Sequence, residues 1–168
     1  MLSKPGTEPE HHEFLAADTN DPRREFISSL CAVMGESGHI VVYNETFESQ
    51  RLSELTSWPP GFAGRIANIQ GRLWDLLPRM RKHVYHPAFA GSFSLKYVLP
   101  ALVPGMTYEG MEVADGTEAG VAWEKLVRGR SDQVEREKTW KALLDYCGQD
   151  TLALVRLVEK LRLRSLSL

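Results

Sequence analysis

The longest regular alternation of apolar and polar positions runs from Trp140 to Leu161. Apolar residues recur at Trp140, Leu143, Leu144, Cys147, Leu154, Val155, Val158 and Leu161, the i, i+3, i+4, i+7 rhythm of an amphipathic helix. At about 100° per residue, Asp150 does not fall on the polar side of that helix. It lies inside the stripe, between Leu143, Cys147 and Leu154, with Tyr146 one turn earlier on the same face. An ionised carboxylate on a core-facing side is costly unless a cation or several donors meet it. Gly148 sits next door and costs a helix about 1 kcal/mol relative to alanine. Both faults fall within three residues, which marks a candidate site and not only a scaffold.

Upstream the pattern breaks into shorter pieces. Residues 1–10 are polar with two prolines and read as a disordered start. His11 to Ala16 alternates and is a strand candidate. Asn20-Asp21-Pro22 opens a helix, a cap followed by proline at the first position. That helix carries Phe26, Ile27, Leu30 and Val33/Met34, and stops between Gly35 and Gly38. His39 to Tyr43 is a β-branched run that reads as a buried central strand. A helix from Glu45 to Leu55 follows, with Glu48, Leu52 and Leu55 at i, i+4, i+7. Glu48 is thus a second acid on an apolar face, at the carboxyl end of a strand, where open α/β sheets bind ligands. Its plainer reading is a favourable charge at a helix N-terminus.

Trp58-Pro59-Pro60-Gly61 breaks the chain, and a short helix runs from Phe62 to Ile69. Arg72 to Met80 reads as a strand or a helical turn, with Asp75 its only acid. His83 to Ser92 is a loop; its two histidines lack a third ligand for a metal site. Ser94 to Leu102 is a helix that Pro100 ends or kinks. Tyr108 to Val113 reads as an edge strand or extended loop, Thr117 to Val127 as a helix, and Arg128 to Lys138 as a charged connection into the final helix. Residues 162–168 form a tail that frays. Together this predicts one α/β or α+β domain over 11–168 with a small sheet.

Composition narrows the function classes. Of 168 residues, 43% are hydrophobic and 25% charged, as in an ordinary globular domain. The formal net charge of −2 gives no global pull toward nucleic acid or membrane. Cations do cluster at Arg79, Arg81 and Lys82, and at Arg156, Lys160, Arg162 and Arg164; as charge alone these read as solvated helix faces. Two cysteines, Cys31 and Cys147, make neither a disulfide framework nor a zinc site, and Cys147 on the apolar stripe reads as a small core residue. No apolar run approaches the ~18 residues of a membrane span, and no signal region opens the chain. A reducing cytoplasm is the expected location. No Gly-rich phosphate loop appears.

Three strings carry a resemblance. Tyr146-Cys147-Gly148-Gln149-Asp150 resembles the Y-x-x-x-D third motif of the DnaQ-like 3′–5′ exonucleases of the tyrosine (DEDDy) subtype. Val42-Tyr43-Asn44-Glu45-Thr46-Phe47-Glu48 resembles their second motif, N-x-x-F-D, with glutamate for aspartate. Ser94-Leu95-Lys96 resembles the S-L-K that opens a helix between the two. More narrowly, VVYNETFE, HVYHPAFAGSFSLKYVLPAL and YCGQDTLALV together resemble a bacterial family, domain of unknown function 2779, from about Glu13 to Leu161.

The resemblance implies an RNase H-like α/β fold, here truncated at the N-terminus, with a small mixed sheet packed by helices. It implies that Glu48 and Asp150 hold Mg2+ or Mn2+, that Tyr146 positions the attacking water, and that Asn44, Phe47, Ser94 and Lys96 contact the 3′ end of single-stranded DNA or RNA. Hard divalent cations take oxygen ligands, and two metal ions stabilise both attacking and leaving oxygens of a phosphodiester. The superfamily's first motif, D-x-E, is absent: none of Asp18, Asp21, Asp75, Asp115, Asp132, Asp145 and Asp150 is followed two residues later by glutamate. The expectation is therefore the C-terminal part of an exonuclease-like domain, inactive alone, beginning near the third strand. An exposed sheet edge would then favour a homo-oligomer. The alternative is a non-catalytic nucleic-acid-binding or protein-assembly module on the same fold. The plainest account is that Tyr146 and Asp150 satisfy each other and nearby backbone.

Overall fold

The computed structural model describes residues 7–16, 18–56, 61–129 and 132–165, the side chains of Arg164 and Ser165 excepted. The chain divides into two compact units, Met1–Thr19 with His86–Leu168, and Asn20–Tyr85, where the sequence predicts one continuous domain.

The unit Asn20–Tyr85 holds the sheet. Helix α1 spans Arg23–Met34. Pro22 stands at its cap, and the Pro22 carbonyl accepts from the Phe26 N–H at 2.9 Å. Asp21 caps by another route: it accepts the Arg23 N–H at 3.1 Å and also takes that residue's guanidinium. Gly35, at φ 55°, turns the chain out of the helix, a conformation that glycine adopts without a Cβ clash. Then come β1 (Ile40–Val42), α2 (Glu45–Thr56), α3 (Ala63–Gln70), β2 (Leu73–Asp75) and α4 (Leu76–His83). The ambiguous stretch from Arg72 to Met80 is thus a strand and then a helix. The two strands pair in parallel, Ile40 opposite Leu73 and Val42 opposite Asp75. Ile27 and Cys31 of α1 bury against Ile66 and Ile69 of α3, with Leu52 and Leu55 of α2 packed on them.

Two polar side chains join these elements. The Arg72 guanidinium donates to the carbonyls of Met34, Gly35, Ser37 and Gly38, and its Nε donates to Asn68 Oδ1 at 3.0 Å. It thereby satisfies carbonyls that the end of α1 leaves without intrahelical partners. Asp75 Oδ1 accepts the N–H of Asn44 at 3.1 Å and of Leu77 at 2.9 Å, and Oδ2 accepts that of Glu45 at 3.0 Å. One carboxylate therefore caps α4 and anchors the start of α2.

The unit completed by residues 86–168 is helical: a 3-10 turn at Pro87–Phe89, α5 (Leu95–Leu102), α6 (Gly116–Arg128) and α7 (Gln133–Ser165). Helix α7 packs on α5 and α6. Helix α5 continues past Pro100 to Leu102. Helix α7 starts well before Trp140. Asp132 accepts the Glu135 N–H at 2.8 Å through its side chain and the Arg136 N–H at 3.0 Å through its carbonyl. The expected charged connection from Arg128 to Lys138 is therefore mostly first-turn helix, because its acids and cations are good helix formers behind an aspartate cap.

Several expectations are corrected. Among the described residues the sheet is not mixed: it has two strands, paired in parallel, so β1 is not central there. His11 to Ala16 forms no strand, since His11, His12, Glu13 and Phe14 are all exposed and the alternation has no buried face to reward it. Tyr108 to Val113 is no strand either. Gly110 at φ 83° turns the chain, and the Met111 N–H bonds back to the Tyr108 carbonyl at 3.3 Å. Cys147 is exposed, not core. The buried positions of α7 are Ala142, Leu143, Ala153 and Leu157, a line rotated slightly from the apolar stripe but still passing through Asp150. The expected disorder falls partly on residues 1–6, the Trp58-Pro59-Pro60 break on 57–60, and the end of the tail on 166–168, all outside the described residues. Residues 7–10 hold no helix or strand.

Candidate functional site

Asp150 is half-buried on α7, in register with Leu143 one heptad before and Leu157 one after. Its Oδ1 accepts the Tyr108 hydroxyl at 2.6 Å, a short charge-assisted bond. Tyr108 is buried, and its loop is pinned a second time where Gln149 Nε2 donates to the Thr107 carbonyl at 3.2 Å. The rings of Tyr108 and Tyr146 lie 6.3 Å apart, tilted by 55°. Burial foremost, then the bond to Asp150, raises the Tyr108 phenol above its ordinary range. Burial, then the charge of Asp150 and a hydrogen bond to it, raises Tyr146 as well, with a smaller push from Asp115. Both hydroxyls therefore keep their protons at neutral pH, able to donate as well as accept.

Asp115 belongs to the same neighbourhood. It opens α6, accepting the N–H of Thr117 at 2.9 Å and of Glu118 at 3.0 Å. A Cβ built on the adjacent Gly116 would lie 4.0 Å from the Tyr146 hydroxyl. The Lys96 ammonium approaches Asp115 Oδ2 at 3.5 Å. The Glu118 and Thr117 N–H groups and Lys96 hold the Asp115 carboxyl below its usual value. Ser94 caps α5 through its carbonyl, which accepts from Tyr97 and Val98 at 3.0 Å, and its side chain makes no cap bond. The structure thus gathers Lys96, Asp115, Tyr146, Asp150 and Tyr108 in one unit. Tyr108 and Asp115 were not legible as site residues. Tyr108 lies 42 residues from Asp150 along the chain, in a segment without periodicity.

The second expected motif sits in the other unit. Asn44 has φ 107°, a strained conformation for a residue with a Cβ. It is held there by the bond from its N–H to Asp75, while its carbonyl accepts from Phe47 at 3.1 Å and Glu48 at 3.3 Å. Glu48 is half-buried in the first turn of α2. Phe47 is 53% exposed under the Arg51 guanidinium, 5.6 Å from the ring centre. Tyr43, at the end of β1, is pushed up to about 12 by burial; nearby Arg81 opposes that rise and Asp75 adds to it.

Carboxylates are the right donors for Mg2+ or Mn2+, but a two-metal centre needs several in one place. Among the described residues no three of histidine, cysteine, aspartate and glutamate are grouped to hold a metal ion. Glu48 and Asp150 belong to different units. The described residues therefore do not by themselves fit such a centre.

The family described as "Domain of unknown function (DUF2779)" matches residues 1–94. The chain belongs to this family. The match takes in all of the sheet-bearing unit, with Asn44, Phe47 and Glu48, and ends at Ser94. Tyr146 and Asp150 lie beyond the matched stretch. No curated protein and no solved structure matches the chain. Among the described residues no helix is long and apolar enough to cross a membrane.

Proposed function

We propose that this member of the DUF2779 family is part of a 3′–5′ exonuclease-like domain of RNase H-like fold, acting on the phosphodiesters of DNA or RNA and inactive as an isolated chain. One observation carries the reading. Tyr146 and Asp150 stand one turn apart on the core side of α7, and the carboxylate is half-buried without a cationic partner among the described residues. A carboxylate on a core-facing position, met by a tyrosine hydroxyl and by no cation, suits a residue retained for chemistry. In this reading Asp150 and Glu48 are the metal-binding acids that the resemblance implies. The protonated Tyr146 hydroxyl holds a water or phosphate oxygen.

The test uses a 3′-labelled single strand with Mg2+ or Mn2+. The isolated chain is expected to leave it intact. The whole gene product that contains the chain is expected to shorten it stepwise, and Asp150→Asn is expected to abolish the shortening. Intact substrate with the whole gene product sinks the proposal, as does full activity in Asp150→Asn. The basic end of α7 gives less support to a purely binding module, because Arg156 is already paired with Glu159 at 2.9 Å.

A further inference from the structure

Helix α4 follows Asp75 at the carboxyl end of β2 and carries Arg79, Arg81, Lys82 and His83. All four side chains are exposed. Among the described residues none of Arg79, Arg81 and Lys82 forms an ion pair, although exposed cations elsewhere do so, as Arg51 with Glu54, Arg128 with Glu124 and Lys138 with Glu112. The attraction of a helix C-terminus for cations accounts for residues in the last turn. It does not account for Arg79, whose guanidinium lies over the Trp74 ring at 5.8 Å. Nor does it account for Tyr85, an aromatic side chain left 84% exposed just past the helix end. The nearest acid along the chain, Asp75, accepts three backbone N–H groups and forms no ion pair with these cations among the described residues.

We propose that α4 is a docking surface for single-stranded nucleic acid, with Arg79, Arg81 and Lys82 on the phosphates and Tyr85 as a stacking platform for a base. The chemistry fits that partner. Uncompensated cations supply the sequence-independent attraction to a phosphate chain, and exposed aromatic rings among them add stacking that any base can meet. An anionic membrane offers the same charge, but α4 presents no exposed apolar face to enter it: Leu76 and Met80 are buried and Leu77 is half-buried, whereas membrane-surface helices expose theirs. This surface supplies a partner for the exonuclease-like reading, and it rests on residues other than Tyr146 and Asp150. It is measured without metal or turnover, so the two fail separately.

The experiment is fluorescence anisotropy of dye-labelled single-stranded DNA and RNA oligonucleotides with the full chain in chelator. Three phosphate contacts to a single strand give a log–log salt slope of about −2, so affinity is expected to fall about 20-fold between 50 and 200 mM salt. The triple variant Arg79→Gln/Arg81→Gln/Lys82→Gln is expected to bind at least tenfold more weakly at the lower salt with a nearly flat slope. Each single variant is expected to flatten the slope by about 0.7, which keeps the test decisive should the triple variant fold poorly. Tyr85→Ala is expected to weaken binding without changing the slope. Undiminished binding by the single and triple variants, no binding at low salt, or preference for phosphatidylserine vesicles over either oligonucleotide overturns the proposal.

Discussion

At the residue scale, single carboxylates do more than their exposure suggests. Asp75 joins three backbone donors from two helices, and the division of labour between its oxygens makes graded predictions. Asp75→Ala removes a helix cap and leaves two further N–H groups unpaired, and urea unfolding is expected to show a loss of about 2–3 kcal/mol. Asp75→Asn keeps one acceptor. With that oxygen in the Oδ1 position it retains Asn44 and Leu77 and forfeits only Glu45, so it is expected to lose clearly less. Equal losses for the two variants would show that the carboxylate's charge matters and not its geometry.

Tyr108 and Asp150 form the second residue-scale test. Tyr108→Phe is expected to cost about 1–2 kcal/mol, since a hydrogen bond to a charged acceptor is removed. Asp150→Leu strands the buried hydroxyl of Tyr108 and is expected to destabilise by a similar amount. The double variant removes both polar partners and is expected to cost less than either single change. Additive losses in the thermodynamic cycle mean that the pair is not coupled. The pH dependence follows from the direction of the shift. The folded state holds the Tyr108 proton more tightly than the unfolded chain, whose phenol ionises near 10.0. The stabilisation is complete below that pH and is lost as pH rises above it toward the higher folded value. Tyr108→Phe is accordingly expected to flatten the fall in stability above pH 10, read by unfolding at successive pH values.

At the element scale, α7 shows how a pattern can be right about a face and wrong about an end. Asp150 lies on the inner side, where the spacing of Leu143 and Tyr146 puts it. The helix nevertheless begins at Gln133, because a run of charges reads equally well as a loop or as a capped first turn, and the Asp132 cap bonds decide between them. Gly148 is a further element-scale case. A Cβ there would meet only His11 Cε1 at 3.8 Å, an ordinary contact. Gly148→Ala is expected to raise stability by up to about 1 kcal/mol, with Tm as the readout. Loss of stability in that variant would give the glycine a packing role after all. The short elements repeat the lesson. His39 to Tyr43 declared its strand through β-branched residues next to glycine. His11 to Ala16 offered the same alternation without a face to bury, and stayed irregular.

At the scale of the whole molecule, the chain divides into two compact units. The family match covers all of the sheet-bearing unit and stops before α5, while the Tyr146–Asp150 pair belongs to the other. The proposed nuclease activity and the proposed binding at α4 are therefore tested separately, each with its own variants. If Asp150→Asn abolishes oligonucleotide binding in chelator as well as cutting, that separation is wrong.

By itself the sequence determined the helices α1, α2, α3, α5 and α6 and the central part of α7, where β1 lies, that Asp150 and Tyr146 share the inner face of α7, and which family the chain joins. These follow from spacing, from β-branched runs and from local capping signals, all of which act over a few residues. Only the tertiary structure decided that Tyr108 meets Asp150, that Asp75 holds two helices, that Arg72 closes the end of α1, and that β1 pairs in parallel with β2. Each of those depends on a donor and an acceptor, or two strand edges, brought together from distant parts of the chain. Nothing in the local rhythm of apolar and polar residues encodes such a meeting.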